Sequence, residues 1–211
     1  MKRTVRAAAT TCLIGLAALV APALAGGPLE IEIRDSVFDP ANPPARGVSP
    51  AGEEVVWVGP EATLDHNVHQ DARLFRSGAP GATKEYHEDI SAGRYHYYCQ
   101  AHGSRAGGMD GVVRIKPTVV LPDGDSVRVI WADSEAEANH RFEVQFRRPS
   151  ADRWRTWKRA TAQTLGEFGE GNDPINANPN KTYQLRVRTF VKGKRKQRHS
   201  GWARVPVSVA P

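Results

Sequence analysis

Past residue 25, apolar residues come in short runs that alternate with polar ones at a period of two, and no long stretch has helical apolar spacing. That pattern restricts the chain to strands. Leu29-Glu30-Ile31-Glu32-Ile33, Glu54-Val55-Val56-Trp57-Val58, Arg94-Tyr95-His96-Tyr97-Tyr98-Cys99 and Val112-Val113-Arg114-Ile115 are predicted strands, punctuated by Gly and Pro. Successive side chains on a strand face opposite ways, so Tyr95, Tyr97 and Cys99 share one face, and His96 and Tyr98 the other. Cys99 is therefore expected to end its strand facing inward, at the rim of a sandwich. The expected fold class is all-β.

The chain has two Cys and two Met, and Met1 and Cys12 fall in its first 25 residues. Those residues read as an export signal. Lys2, Arg3 and Arg6 give the charged start, Cys12 to Val20 the apolar stretch, and Ala23-Leu24-Ala25 the cleavage site. The apolar run is too short to favour a permanent span, and Cys12 is not at the cleavage point where a lipid-bearing Cys would sit. An exported, secreted or periplasmic protein is expected, with an uncleaved anchor as the alternative.

After cleavage Cys99 has no cysteine partner, although an oxidising compartment favours disulfides. Its neighbours suggest another use. Cys99-Gln100-Ala101-His102, then Met109, with His66-Asn67-Val68-His69 upstream, gather a thiolate, imidazoles and a thioether. Two nitrogens and a sulfur with a weak axial thioether suit copper that changes oxidation state. Zinc competes, but a thioether fits its preferences poorly. Alternatives stay open at single positions: Cys99 as a small buried hydrophobe, Met109 as a core residue opening the last strand, His69 as a ligand in place of His66. Alternation puts His69 opposite His66 and so at the surface. His87 and His96 are expected to be solvated, and His140 and His199 to stand apart from the site.

Charge divides the chain. Residues 26–116 hold 9 Lys+Arg against 13 Asp+Glu, net −4, and residues 117–211 hold 17 against 10, net +7. The expected organisation is a signal over 1–25, one domain over 26–116 and a second over 117–211, with almost no linker at Pro117.

The segment from about Leu29 to Lys116 resembles a small cupredoxin of the plastocyanin, amicyanin and halocyanin kind. Asp35-Ser36-Val37-Phe38-Asp39-Pro40 is similar to that family's F-x-P segment, Val55-Val56-Trp57 to its V-x-W strand, and His66-Asn67-Val68-His69 to its H-N-V-H turn. Leu74-Phe75-Arg76-Ser77-Gly78, the run from Gly93 to His102, and Gly108-Met109-Asp110-Gly111-Val112-Val113 match its later landmarks in order. The resemblance implies a Greek-key sandwich holding one type 1 copper, with His66, Cys99 and His102 equatorial, Met109 axial, and Asn67 bracing the ligand loops. It also implies an electron port at His102. Six residues separate His102 from Met109, a longer loop than the smallest members have.

The second half resembles a fibronectin type III domain, an Ig-like sandwich. Ser126-Val127-Arg128-Val129-Ile130-Trp131, Arg141 to Arg147, Thr182 to Arg188 and Ser200-Gly201-Trp202 carry that resemblance. Lys192-Gly193-Lys194-Arg195-Lys196-Gln197-Arg198 would be a hairpin loop, either a solvated turn or a basic tip for an acidic polymer or surface. Asn180-Lys181-Thr182 fits a glycosylation triplet. No nucleophile elbow, phosphate loop or second metal cluster appears, so no enzyme is expected. Single-electron transfer with an unnamed redox partner, and a second module that positions it, is the expected role. Non-redox copper storage or delivery, or surface adhesion, is the rival, and nucleic acid is not an expected partner.

Overall fold

The structure, a computed structural model, describes residues 27–48, 52–81, 85–121, 127–133, 138–148, 150–169 and 181–209. The proposed signal, Ser126 and Asn180 lie outside them. The described residues are all-β. No helix among them is long and apolar enough to cross a membrane.

Eight strands build the first half: β1 (Leu29–Arg34), β2 (Val37–Asp39), β3 (Arg46–Gly47), β4 (Glu54–Val58), β5 (His69–Gln70), β6 (Glu85–Asp89), β7 (Gly93–Ser104) and β8 (Gly107–Lys116). They form two sheets, ordered β2-β1-β4-β6 and β3-β8-β7-β5. Alternation decides what lies between them: Leu29, Ile31 and Ile33 point inward from β1, and Tyr95, Tyr97 and Cys99 from β7. Trp57, Tyr97 and Phe38 meet there edge to face, with ring centroids 5.4 Å and 4.9 Å apart.

Seven strands follow: β9 (Thr118–Val120), β10 (Val127–Ile130), β11 (His140–Arg147), β12 (Arg155–Thr161), β13 (Leu165–Phe168), β14 (Thr182–Val191) and β15 (Ala203–Ser208). Their sheets are ordered β13-β10-β9 and β12-β11-β14-β15. Trp131, Phe142, Phe168, Tyr183, Leu185 and Val187 fill the space between them. The alternation read from Tyr183, Leu185 and Val187 places all three in this core.

A single residue, Pro117, separates β8 from β9, and the two cores interlock. Ala92 packs in the second core and Ile130 in the first. Arg94 and Gly201 exchange both backbone hydrogen bonds, at 3.0 and 2.7 Å, and the Thr189 hydroxyl donates to the Ala92 carbonyl at 3.0 Å. Gly93 permits this approach, because a Cβ there would stand 2.6 Å from Ser200 Oγ and 2.7 Å from the Tyr95 ring. Gly93→Ala is expected to lower the unfolding free energy by about 1–3 kcal/mol through overpacking at this junction. An unchanged denaturation midpoint would show that the two halves do not press on one another there.

Candidate metal centre

His66, Cys99 and His102 converge, their ligand atoms all lying within 4.8 Å of one another. Cys99 Sγ stands 3.8 Å from His66 Nδ1 and 3.6 Å from His102 Nδ1. A metal bonded to sulfur at about 2.3 Å and to nitrogen at about 2.0 Å in a trigonal plane holds those donors about 3.7 Å apart. The donor spacing therefore fits one ion at the centre of the three. His66 and Cys99 are fully buried and His102 is exposed, so the site has one edge on the surface.

Each ligand arrives by a different local rule. Cys99 follows Tyr95 and Tyr97 on the inward face of β7. His66 belongs to a turn pinned by reciprocal backbone bonds with Gly81, at 2.8 and 3.0 Å. Contrary to the sequence expectation, Cys99 does not end its strand: β7 continues to Ser104. Tyr98 faces Asp110 and Gly103 faces Gly108, so Cys99-Gln100-Ala101-His102 bulges out of the ladder opposite the single residue Met109.

That bulge answers the length of the loop between His102 and Met109. The extra residues extend the hairpin, with Ser104 facing Gly107 across a turn at Arg105 and Ala106. Two glycines make the approach possible. A Cβ on Gly103 would stand 2.6 Å from the Met109 carbonyl oxygen, and one on Gly108 would stand 2.7 Å from the His102 carbonyl oxygen. Gly108 also has φ of 99°, which disfavours other residues. Met109 is buried in the same core as Cys99.

Around the donors, Asn67 ties the two ligand segments together. Its Nδ2 donates to the Gly78 carbonyl and to Gln100 Oε1, each at 2.8 Å, and its Oδ1 accepts from the Gln100 backbone amide at 2.8 Å. Asp35 Oδ1 lies 3.7 Å from His66 Nε2, too far for a hydrogen bond but close enough to favour a proton on that nitrogen. That tautomer leaves Nδ1 free to face the sulfur. The Thr63 hydroxyl and the Thr63 and Leu64 amides hold the Asp35 carboxyl down at about 2, so it stays ionised. Burial, followed by the neighbouring His102, keeps His66 below the ordinary imidazole range and hence neutral, the form that ligates.

No protein-family model matches this chain, and no curated protein does. Solved structures similar to it include amicyanins. An oxidised amicyanin mutant shares 26% identity over 44% of this chain and 87% of its own, with a TM-score of 0.34. A reduced amicyanin mutant shares 23% over the same fractions, also at 0.34. A structure described as a myokine shares 15%, over 45% of this chain and 93% of its own, at 0.33.

The remaining histidines correct two expectations. His69 is not at the surface: it is buried on β5 against the Tyr98 ring, 5.2 Å between centroids, and is not among the three residues brought together. Its segment bends at the pinned turn, so simple alternation from His66 fails. His96 is not freely solvated either. Its Nδ1 lies 3.0 Å from Asp71 Oδ1 and its Nε2 2.8 Å from Asp110 Oδ2. His87 is exposed and bridges Glu54 and Glu85. His199 meets the Ser200 carbonyl, away from the donors, and His140 opens β11.

Gln100 and Asp35 were not singled out from the sequence, although both lie inside motifs that were. Asn67→Ala should cut both ties to Gln100 and weaken Cu(II) binding about 10–100-fold in chelator competition, because residues behind the ligands orient them. Unchanged affinity would make this brace incidental. His96 gives a pH test. Burial alone would lower its pKa, but Asp110 and Asp71 outweigh burial and raise it. Its folded value above the unfolded one, about 6.5, means that the pairing stabilises fully below that pH and is lost as pH rises through the folded value. NMR titration should place His96 above a free imidazole and Asp71→Asn should bring it down; equal values in both proteins would remove the ion pair.

Proposed function

We propose that this chain is an exported type 1 copper protein that passes single electrons, in which His66, Cys99, His102 and Met109 would hold the copper. The observation that carries the reading is one buried cysteine sulfur 3.6–3.8 Å from two imidazole nitrogens. Met109 supports copper over zinc, because it sits opposite the ligand bulge and a thioether suits the softer metal. Copper in such a site supplies one-electron chemistry by cycling between Cu(I) and Cu(II).

The chain's own residues then have distinct roles. Cys99 and His66, buried and held by the Tyr95–Tyr97 face and the Gly81 pairing, exclude water and resist rearrangement. Asn67 and Gln100 keep the two ligand segments in register. His102, exposed at the edge, is the route by which an electron reaches a partner.

The export signal at Met1–Ala25 supports a secreted or periplasmic location. The sheets of three and four strands, with buried Trp131 and Tyr183, support a fibronectin type III module over residues 117–211. Its role in this reading is to position the copper domain against a redox partner.

Protein loaded with Cu(II) should show an intense visible band and narrow copper hyperfine splitting, bleached by ascorbate and restored on reoxidation. Cys99→Ser should lose the band while keeping the fold, and Met109→Leu should keep the band but raise the potential. A colourless wild-type protein, or irreversible reduction, would replace this reading with copper storage or delivery.

A further inference from the structure

The basic loop of the second half does not project as a free tip. From Val191, where β14 ends, the chain turns through Lys194, whose carbonyl accepts from the Gln197 and Arg198 amides at 3.0 and 2.8 Å. Arg198 then reaches the first half. Its Nε donates to the Ala72 carbonyl at 2.9 Å, and its Nη2 to the Arg73 carbonyl. One residue earlier in that turn, the Asp71 carbonyl accepts from Arg105, which lies in the hairpin between His102 and Met109. Arg198 and Arg105, from opposite halves, thus hold three successive carbonyls.

In the other direction the basic run continues onto the outer face of β14. Arg195 lies 3.4 Å from Glu143, which also accepts from Arg188 at 2.7 Å. Arg188 and Arg186 cover the Trp202 ring, at 4.6 and 4.2 Å, and Arg186 also covers Trp154 at 4.2 Å. Arg147 and Arg204 close around the same Trp154. Glu143 and Asp71 are the carboxylates that take part in these contacts, and both already hold partners. The surplus of guanidinium is large. It is felt locally: after burial, Arg73, Arg76 and Arg105 each press the His69 pKa down.

We propose that this continuous cationic band, from the outer sheet of the second half through Lys192–Arg198 to Arg73 and Arg105 beside the ligand hairpin, docks the acidic face of a partner protein. Its orientation gives the second half a purpose, since a partner held along the band is brought up to His102. That purpose rests on the copper reading; the docking itself does not.

The chemistry favours carboxylates on a protein surface. Guanidinium forks match carboxylates in planar, paired hydrogen bonds. Nucleic acid would stack bases on aromatic faces, but Trp154 and Trp202 are already covered by arginines. Stable attachment to a membrane surface would call for apolar residues beside the basic ones. Among the described residues, the exposed large apolar ones, Val37, Leu64, Val120, Leu121 and Leu165, all lie outside the band.

The test uses copper-free full-length protein and poly-L-glutamate, so that binding and colour are read separately. Three double variants each remove two positive charges. Arg73→Gln with Arg105→Gln alters the band in the first half, and Lys194→Gln with Lys196→Gln alters it in the second. Arg34→Gln with Arg128→Gln is the control, both exposed on the opposite sheets, β2-β1-β4-β6 and β13-β10-β9. Each band pair should weaken binding about ten-fold at low salt and the control less than about two-fold, with all affinities falling as salt screens the charges. Lys194 and Lys196 are exposed, so that pair tests the band even if the arginine pair disturbs the turn. Equal losses in all three variants would mean net charge alone and overturn the band. Loss in one half only would overturn its continuity, and capture by phosphatidylserine vesicles without polyglutamate binding would replace the protein partner with a membrane. A colourless copper-loaded protein that still bound polyglutamate through the band would sink the copper reading and leave the docking surface standing.

Discussion

Asn67 links segments 33 residues apart through paired bonds with Gln100, and the ligand geometry depends on that link. Neither segment could hold a donor in place alone. His66 leaves a pinned turn, and Cys99-Gln100-Ala101-His102 bulges from a ladder that offers it no partner strand. A side-chain amide that both donates and accepts supplies the missing hydrogen bonds across the gap, and an unmet amide in so buried a place would cost about 1–3 kcal/mol. Donor spacing is therefore set before any ion arrives.

The hairpin beyond His102 shows how a longer loop is absorbed. Extra residues could have made a floppy excursion. Instead Gly103 and Gly108 let two backbones pass within contact distance, so the insertion becomes additional ladder and Met109 stays opposite the bulge. The same economy governs the junction between the halves, where Gly93 admits Ser200 and Ala92 enters the neighbouring core. With one residue between β8 and β9, such contacts rather than a tether set the angle at which the basic loop meets the turn at Ala72 and Arg73.

Much of this was legible in the residues. Period-two alternation found β1, β4 and the inward face of β7, because a pleated strand places every second side chain on one face. The scarcity of Cys and Met singled out Cys99 and Met109, and the spacing of Cys99 and His102 suggested a shared site. Alternation failed at His69, where the chain bends between His66 and β5; it put His96 on the correct face of β7 but could not show its polar partners Asp71 and Asp110, which come from other segments. Arg198 was readable only as one charge in a basic run. Its contacts with Ala72 and Arg73 join residues more than a hundred positions apart, and no local pattern encodes them.

The sequence by itself determined the all-β class, the donor types and the strand that carries Cys99, since these follow from side-chain chemistry and a two-residue period. Tertiary structure alone decided that His66 and His102 both turn Nδ1 to the sulfur, that the Cys99–His102 segment bulges opposite Met109, and that the basic loop and the hairpin after His102 both fasten to the turn at Asp71–Arg73. Each depends on distances between segments remote in the chain, and those distances are fixed only when the cores close and the buried polar groups find their partners.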